Sequence, residues 1–159
     1  MIFSVKRTTM KQFHSMRFTQ SSLMCSALAS LIFAVWIYLT KRPSNLLLNV
    51  KFDQIFGPEF RWLLGRSEIE TSWPDWIVCS LPAALWLYAT NTSIILYFPS
   101  PQNRIRLSLY LILFCLLTEL LQLFGVIPGT FDKIDSIWYI VLGIIPILCH
   151  EQKIKKFLS

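Results

Sequence analysis

Four apolar stretches constrain this chain more than anything else in it: residues 22–40, 76–98, 107–127 and 132–149. A helix rises about 1.5 Å per residue, so crossing a hydrocarbon core of about 30 Å takes about 20 residues, and the first three stretches reach or approach that length. The fourth approaches it only if its helix begins at Asp132, because Ser136 to Cys149 alone would rise about 21 Å. Apolar residues make up 54% of the 159 and charged residues only 15%, which is too oily for a soluble domain of this size. The expected fold is therefore an all-α integral membrane protein: four transmembrane helices in one bundle, with residues 1–159 forming a single membrane domain. Basic residues precede the first stretch, as in a signal peptide. That stretch is long, however, and no small-residue cleavage site follows Thr40, so it reads as a retained helix.

Charge sets the expected orientation. The N-terminal segment carries Lys6, Arg7, Lys11 and Arg17, the turn at residues 99–106 carries Arg104 and Arg106, and the C-terminal segment carries Lys153, Lys155 and Lys156. By the positive-inside rule these three segments share the cytoplasmic side, which puts both termini inside. Residues 41–75 balance five basic against five acidic side chains, and the turn at 131–135 has one lysine against two aspartates; both fit the outer side. Trp36, Tyr38, Trp73, Trp76, Trp138 and Tyr139 fall near the same boundary, where amphipathic rings prefer to lie. The formal net charge of +6 thus follows largely from topology. Its basic residues flank helices instead of forming one patch, which argues against nucleic acid and for membrane lipids as partners of the tails. Cys25, Cys79, Cys115 and Cys149 fall inside predicted helices without metal-ligand spacing and read as small apolar filler.

Local signals refine the elements. Trp73-Pro74-Asp75 suits a helix start, since proline in the first turn loses no hydrogen bond and an acid there suits the helix dipole. Pro82 then lies inside that helix and should kink it or leave a carbonyl free. Thr90-Asn91-Thr92-Ser93 is polar at a depth where neighbouring helices are expected to supply the hydrogen bonds. Asn91-Thr92-Ser93 also matches the glycosylation pattern, but inside a span that match means little. The long outer loop contains a mixed apolar and charged run from Phe52 to Leu64. It reads equally as an interfacial helix over the outer mouth of the bundle or as a loop with hydrophobic anchors. Arg61 and Arg66, the basic residues of its latter half, are candidate contacts for outer-leaflet anions.

Chemistry concentrates after Thr118. Glu119 places a carboxyl inside an apolar span, which is expensive and seldom incidental. Gln122 shares its helix face, and the turn that follows carries Thr130, Asp132 and Asp135 to the membrane edge. Glu119, Gln122, Thr130, Asp132 and Asp135 are therefore the expected ligand-binding set, in a pocket open to the outer leaflet, with Glu119 and Asp135 no more than about 15 Å, or three helical turns, apart. Two carboxyls in one pocket do not both ionise cheaply, so one can keep a proton at neutral pH and donate a hydrogen bond. Alternatively their oxygens would hold a divalent cation, although no specific metal motif is present. The plainer alternatives are that Asp132 caps the last helix, Asp135 stabilises its first turn, and Glu119 is a neutral carboxyl bonded across the bundle. No serine, cysteine or histidine at the outer face stands in an evident nucleophile-base arrangement, so enzymatic activity stays open.

Glu119-Leu-Leu-Gln122, Gly129-Thr-Phe-Asp132-Lys-Ile-Asp135 and Leu142-Gly143, in that order, resemble the closing half of VanZ-like membrane proteins. The resemblance covers residues 109–147 and, more weakly, the Pro74-Asp75-Trp76 helix start. Gly129 stands where the family frequently has arginine, Tyr139 where it has asparagine, and a histidine often seen early in the second helix is absent. The resemblance implies a small polytopic protein of the bacterial cytoplasmic membrane, from a family whose named member is associated with resistance to a glycopeptide antibiotic. Together with the acidic cluster, it makes binding of a lipid-linked or glycan ligand, such as a polyprenyl-linked glycan, the leading expectation. Two readings stand beside it: a non-catalytic accessory subunit of a larger membrane complex, and a membrane hydrolase or transferase.

Overall fold

A computed structural model describes residues 2–42, 46–64 and 73–158, and among these every regular element is a helix. Helix α1 spans Ile2–Lys41, α2 Leu47–Phe56, α3 Pro58–Leu63, α4 Leu81–Tyr97, α5 Pro101–Leu123 and α6 Lys133–Leu158. A π-helical turn, Trp76–Ser80, leads into α4. Among the described residues, three stretches are long and apolar enough to cross a membrane: Gln20–Lys41, Trp76–Tyr97 and Gln102–Leu123. Helix α6 is not among them, although its 26 residues rise about 39 Å.

Helix α4 is the centre of the bundle. It packs most extensively on α1 and α6 and also on α5, and 44% of its apolar stretch is covered, against 17% for that of α5. Small residues make the close contact possible: Ala27 and Ala34 are buried on α1, and Ala84 and Ala89 on α4. Where lipid is as apolar as any side chain, such backbone approach and interhelical hydrogen bonds carry association. Ser26 Oγ and Tyr88 Oη, 2.9 Å apart, supply one such bond between α1 and α4. Around α4, α5 and α6 the core is formed by Ala84, Leu87, Ile95, Ile112, Tyr139 and Ile147. Tyr139 therefore belongs to the core. Its spacing from Asp135 keeps it on the inward stripe of α6, and that stripe decides its place.

Gly143 brings α6 against its neighbours. A Cβ there would stand 2.6 Å from Ile112 Cγ1 and 2.9 Å from Ile112 Cδ1, closer than carbon atoms approach, so only glycine allows this spacing. Beside it Asn91, fully buried on α4, donates from Nδ2 to the Gly143 carbonyl at 3.0 Å. Pro146, also buried, has no N–H for the Leu142 carbonyl, and the Asn91 bond reaches the neighbouring carbonyl, that of Gly143, from outside the helix. The rest of the polar cluster behaves otherwise than expected. Thr90, Thr92 and Ser93 each return a hydroxyl to the carbonyl four residues back, at 2.8, 2.8 and 2.9 Å, and need no neighbouring helix.

Element boundaries also move. Helix α5 starts at Pro101, six residues before the expected apolar stretch, because Ser100 Oγ accepts the Asn103 N–H at 3.5 Å as an N-cap and proline pre-sets the first turn. The connection between α4 and α5 shrinks to Phe98–Ser100, where Arg104 donates to the Phe98 carbonyl, so Arg104 and Arg106 lie on helix. The described part of the long connection between α1 and α4 is helical, broken at Gly57 (φ +83°) into α2 and α3. Phe52, Phe56 and Phe60 cluster with ring centroids 4.8 to 5.9 Å apart, and the Trp36 indole donates to the Leu64 carbonyl at 3.0 Å. Trp36 and Trp73, and Trp76 and Trp138, meet ring to ring at 5.9 and 5.7 Å, gathering the aromatic residues at one end of the bundle.

Candidate functional site

The site expected from the sequence lies where α5 hands over to α6. Helix α5 ends in a left-handed glycine cap: Gly125 (φ +68°) donates to the Gln122 carbonyl at 3.0 Å and Val126 to the Leu121 carbonyl at 2.9 Å. This closing pattern reverses the chain one turn after Glu119 and brings residues 128–132 back against that turn. Gly129 (φ +139°) lies on Gln122, where a Cβ would meet Nε2 at 2.7 Å and Cδ at 2.8 Å. The half-buried Gln122 thus occupies the space that a larger residue at 129 would need.

Asp132 is the N-cap of α6. Its Oδ1 accepts the Ile134 N–H at 2.8 Å, and its carbonyl accepts the first helical bond, from Ser136 at 3.4 Å. Its own N–H donates to Glu119 Oε2 at 3.4 Å, so the cap of α6 is tied to the buried acid of α5. Glu119 is 4% exposed. Asp135 lies in the first turn of α6, where an acid favours the helix dipole. It is half-buried, and its Oδ1 is buried with no hydrogen-bond partner among the described residues. Asp132 and Asp135 both act electrostatically on Glu119. Tyr139, one turn beyond Asp135, is within such reach of Asp135, Glu119 and Cys115.

The structure therefore brings together Glu119, Gln122, Asp132 and Asp135, and adds Tyr139 and Cys115. Thr130 is exposed on the turn and enters none of these hydrogen bonds. Arg61 is 4% exposed and ion-paired with Asp53, so its guanidinium is turned between α2 and α3. Asp53 and Arg61 stand eight residues apart on either side of Gly57, and the break there folds α2 and α3 together so that they meet. Arg66 lies outside the described residues. No group of three or more His, Cys, Asp or Glu among the described residues is placed to hold a metal ion, so the cation alternative finds no ligand set there.

Two cavities lie elsewhere. One, of about 200 Å³, is lined by Tyr38, Arg42, Leu48, Pro82, Ala83 and Trp86. The other, of about 390 Å³, is lined by Gln20, Ser21, Met24, Cys25, Leu96 and Tyr97. Neither includes the acidic residues. Arg42 is the polar residue that sequence reasoning missed. Pro82 has no N–H for the Val78 carbonyl, and Arg42 Nε donates to that carbonyl at 3.0 Å while Nη2 donates to the Cys79 carbonyl. The signal was present: a proline inside a span predicts an orphan carbonyl, and an arginine just past the end of the preceding span is the donor of the right reach.

Comparison with protein-family models, curated proteins and solved structures gives no match. The likeness to VanZ-like proteins accordingly rests on the residues quoted for it.

Proposed function

We propose that this chain is a four-span, VanZ-like protein of the bacterial cytoplasmic membrane that binds a lipid-linked or glycan ligand at its acidic end. In this reading α6 is the fourth span, its length and its packing on α4 and α5 supporting that place. Both termini face the cytoplasm, in keeping with nine of the fifteen basic residues lying in the three inner segments. The observation that carries the binding reading is Asp135 Oδ1, buried beside Glu119 and unpartnered. An unsatisfied buried acceptor costs about 1–3 kcal/mol, and a ligand rich in hydroxyl or amide donors would supply the missing partner. Glu119, Asp132 and Gln122 then hold the turn that presents Asp135, with Thr130 exposed at its rim.

The test is lipid mass spectrometry of the gently purified full chain. The wild type should retain a polyprenyl-linked species, and Asp135→Asn should reduce it at least about tenfold, in line with the loss of one charge-assisted hydrogen bond. Glu119→Gln, which keeps volume, should do the same while the protein remains inserted. Equal retention by both variants, or no polyprenyl lipid on the wild type, removes the reading. A second reading, a non-catalytic accessory subunit, is favoured by α5, whose Tyr110, Leu113, Phe114 and Leu117 are all exposed along one apolar flank. Under that reading Glu119→Gln leaves lipid content unchanged and instead weakens recovery of a larger complex after cross-linking in the membrane.

A further inference from the structure

The cavity beside Arg42 has a polarity gradient that matches one class of molecule. Arg42 follows directly on α1, at the boundary of the apolar stretch that ends at Lys41. Its Nε and Nη2 are fixed on the Val78 and Cys79 carbonyls, and its guanidinium carbon lies 5.0 Å from the centroid of the Tyr38 ring. The remaining nitrogen, Nη1, carries two N–H groups and has no hydrogen-bond partner among the described residues, and no carboxylate there lies within ion-pair distance of Arg42. Among the described residues, this cation at the end of an apolar stretch is thus held from one edge by two carbonyls and meets no carboxylate on the other.

The cavity of about 200 Å³ runs from that cation past Pro82 and Ala83 to Trp86, one to two turns further into the apolar stretch of α4. Trp86 is 48% exposed, so its indole is open to the surrounding lipid. The space is smaller than the pockets of about 300–1,000 Å³ that enclose whole ligands, and it is charged at the boundary and apolar toward the hydrocarbon. A phosphodiester with attached acyl chains has the same order: anion first, then hydrocarbon. Arginine's planar fork suits phosphate oxygens, and a fork already immobilised by two other bonds loses little freedom on binding.

We propose that the groove formed by Arg42, Tyr38, Pro82, Ala83 and Trp86 binds the phosphate of a membrane phospholipid at Arg42 Nη1, with an acyl chain lying along Ala83 and Trp86. The site rests on α1 and α4 spanning the membrane and is separate from the acidic cluster, so it stands whether or not a glycan ligand binds there. Its test is native mass spectrometry of the full chain in detergent, titrated with phosphatidylglycerol, with diacylglycerol of the same chains, and with glycerol phosphate. Phosphatidylglycerol should bind one to one, and at least about tenfold more tightly than either fragment, in keeping with a charge-assisted bond that needs both parts of the ligand. Ala83→Phe fills the groove without touching the Arg42 bonds, and should weaken phosphatidylglycerol at least about tenfold while leaving thermal unfolding and any polyprenyl retention unchanged. Arg42→Lys should weaken it similarly; if that variant does not fold, Ala83→Phe decides alone. Equal binding by diacylglycerol, equal binding by glycerol phosphate, or undiminished binding to Ala83→Phe would each overturn the site.

Discussion

At the scale of single residues, two positions show how a membrane interior decides between opposing effects. Gly143→Ala adds helix propensity worth about 1 kcal/mol, but its Cβ would meet Ile112 at 2.6 Å, and overpacking costs about 1–3 kcal/mol. Net destabilisation of about 1 kcal/mol is expected. In an Ile112→Ala background the clash is gone and the sign should reverse, because only the propensity gain remains. Unfolding in mixed micelles, run as a double-mutant cycle, reads this directly; a Gly143→Ala cost that persists with Ala at 112 would refute the contact. Asn91→Leu removes the donor to the Gly143 carbonyl and should cost about 0.6–1.7 kcal/mol, the range of interhelical hydrogen bonds in membranes. The same substitution separates two readings of the Asn91-Thr92-Ser93 pattern, since a residue buried in a packed bundle is no glycan acceptor.

At the scale of elements, the π-turn, Pro82 and Arg42 form one unit. The proline withholds a donor at the start of α4, and the end of α1 supplies it through a side chain. Arg42→Gln should therefore be costly only while Pro82 is present. We expect a coupling energy of about 1–3 kcal/mol between Arg42→Gln and Pro82→Ala, because alanine restores the N–H and lets α4 satisfy its own carbonyl. Independent, additive effects in the unfolding cycle would show that Arg42 acts elsewhere. The α5–α6 corner obeys similar logic. Its left-handed glycine cap and the Asp132 cap are local devices, and the bond from the Asp132 N–H to Glu119 at 3.4 Å joins them across the turn.

At the scale of the whole molecule, sidedness is the property most open to test. In a background lacking Cys25, Cys79, Cys115 and Cys149, Thr130→Cys should react with a membrane-impermeant thiol reagent in intact cells, whereas Lys11→Cys and Ser159→Cys should react only after permeabilisation. Labelling of Lys11→Cys or Ser159→Cys in intact cells would invert the orientation or break the four-span count. The lopsided coverage of the bundle bears on its surroundings. Helix α4 is enclosed and α5 is open, so whatever lies beside α5, lipid or protein, meets a continuous apolar flank.

The apolar lengths by themselves determined that the chain is helical and where three spans lie, because the lack of water in hydrocarbon leaves a short chain no other way to satisfy its backbone. Turn and cap chemistry was equally local: Ser100-Pro101, Gly125 and Asp132 carry their boundaries in their own side chains and φ angles. The sequence also marked Glu119, Gln122, Asp132 and Asp135, since carboxyls near a span stand out against an apolar background. Only the tertiary structure decided which of these are satisfied. Asp132 caps a helix, Glu119 accepts its amide, and Asp135 keeps an oxygen without a partner, and these outcomes depend on angstrom-scale approach across a turn. The same holds for Arg61, withdrawn onto Asp53, for Asn91 at Gly143, and for Arg42 at the Pro82 carbonyls. Each joins residues that are far apart in sequence or separated by a bend, and hydrophobic periodicity carries no information about which donor meets which acceptor.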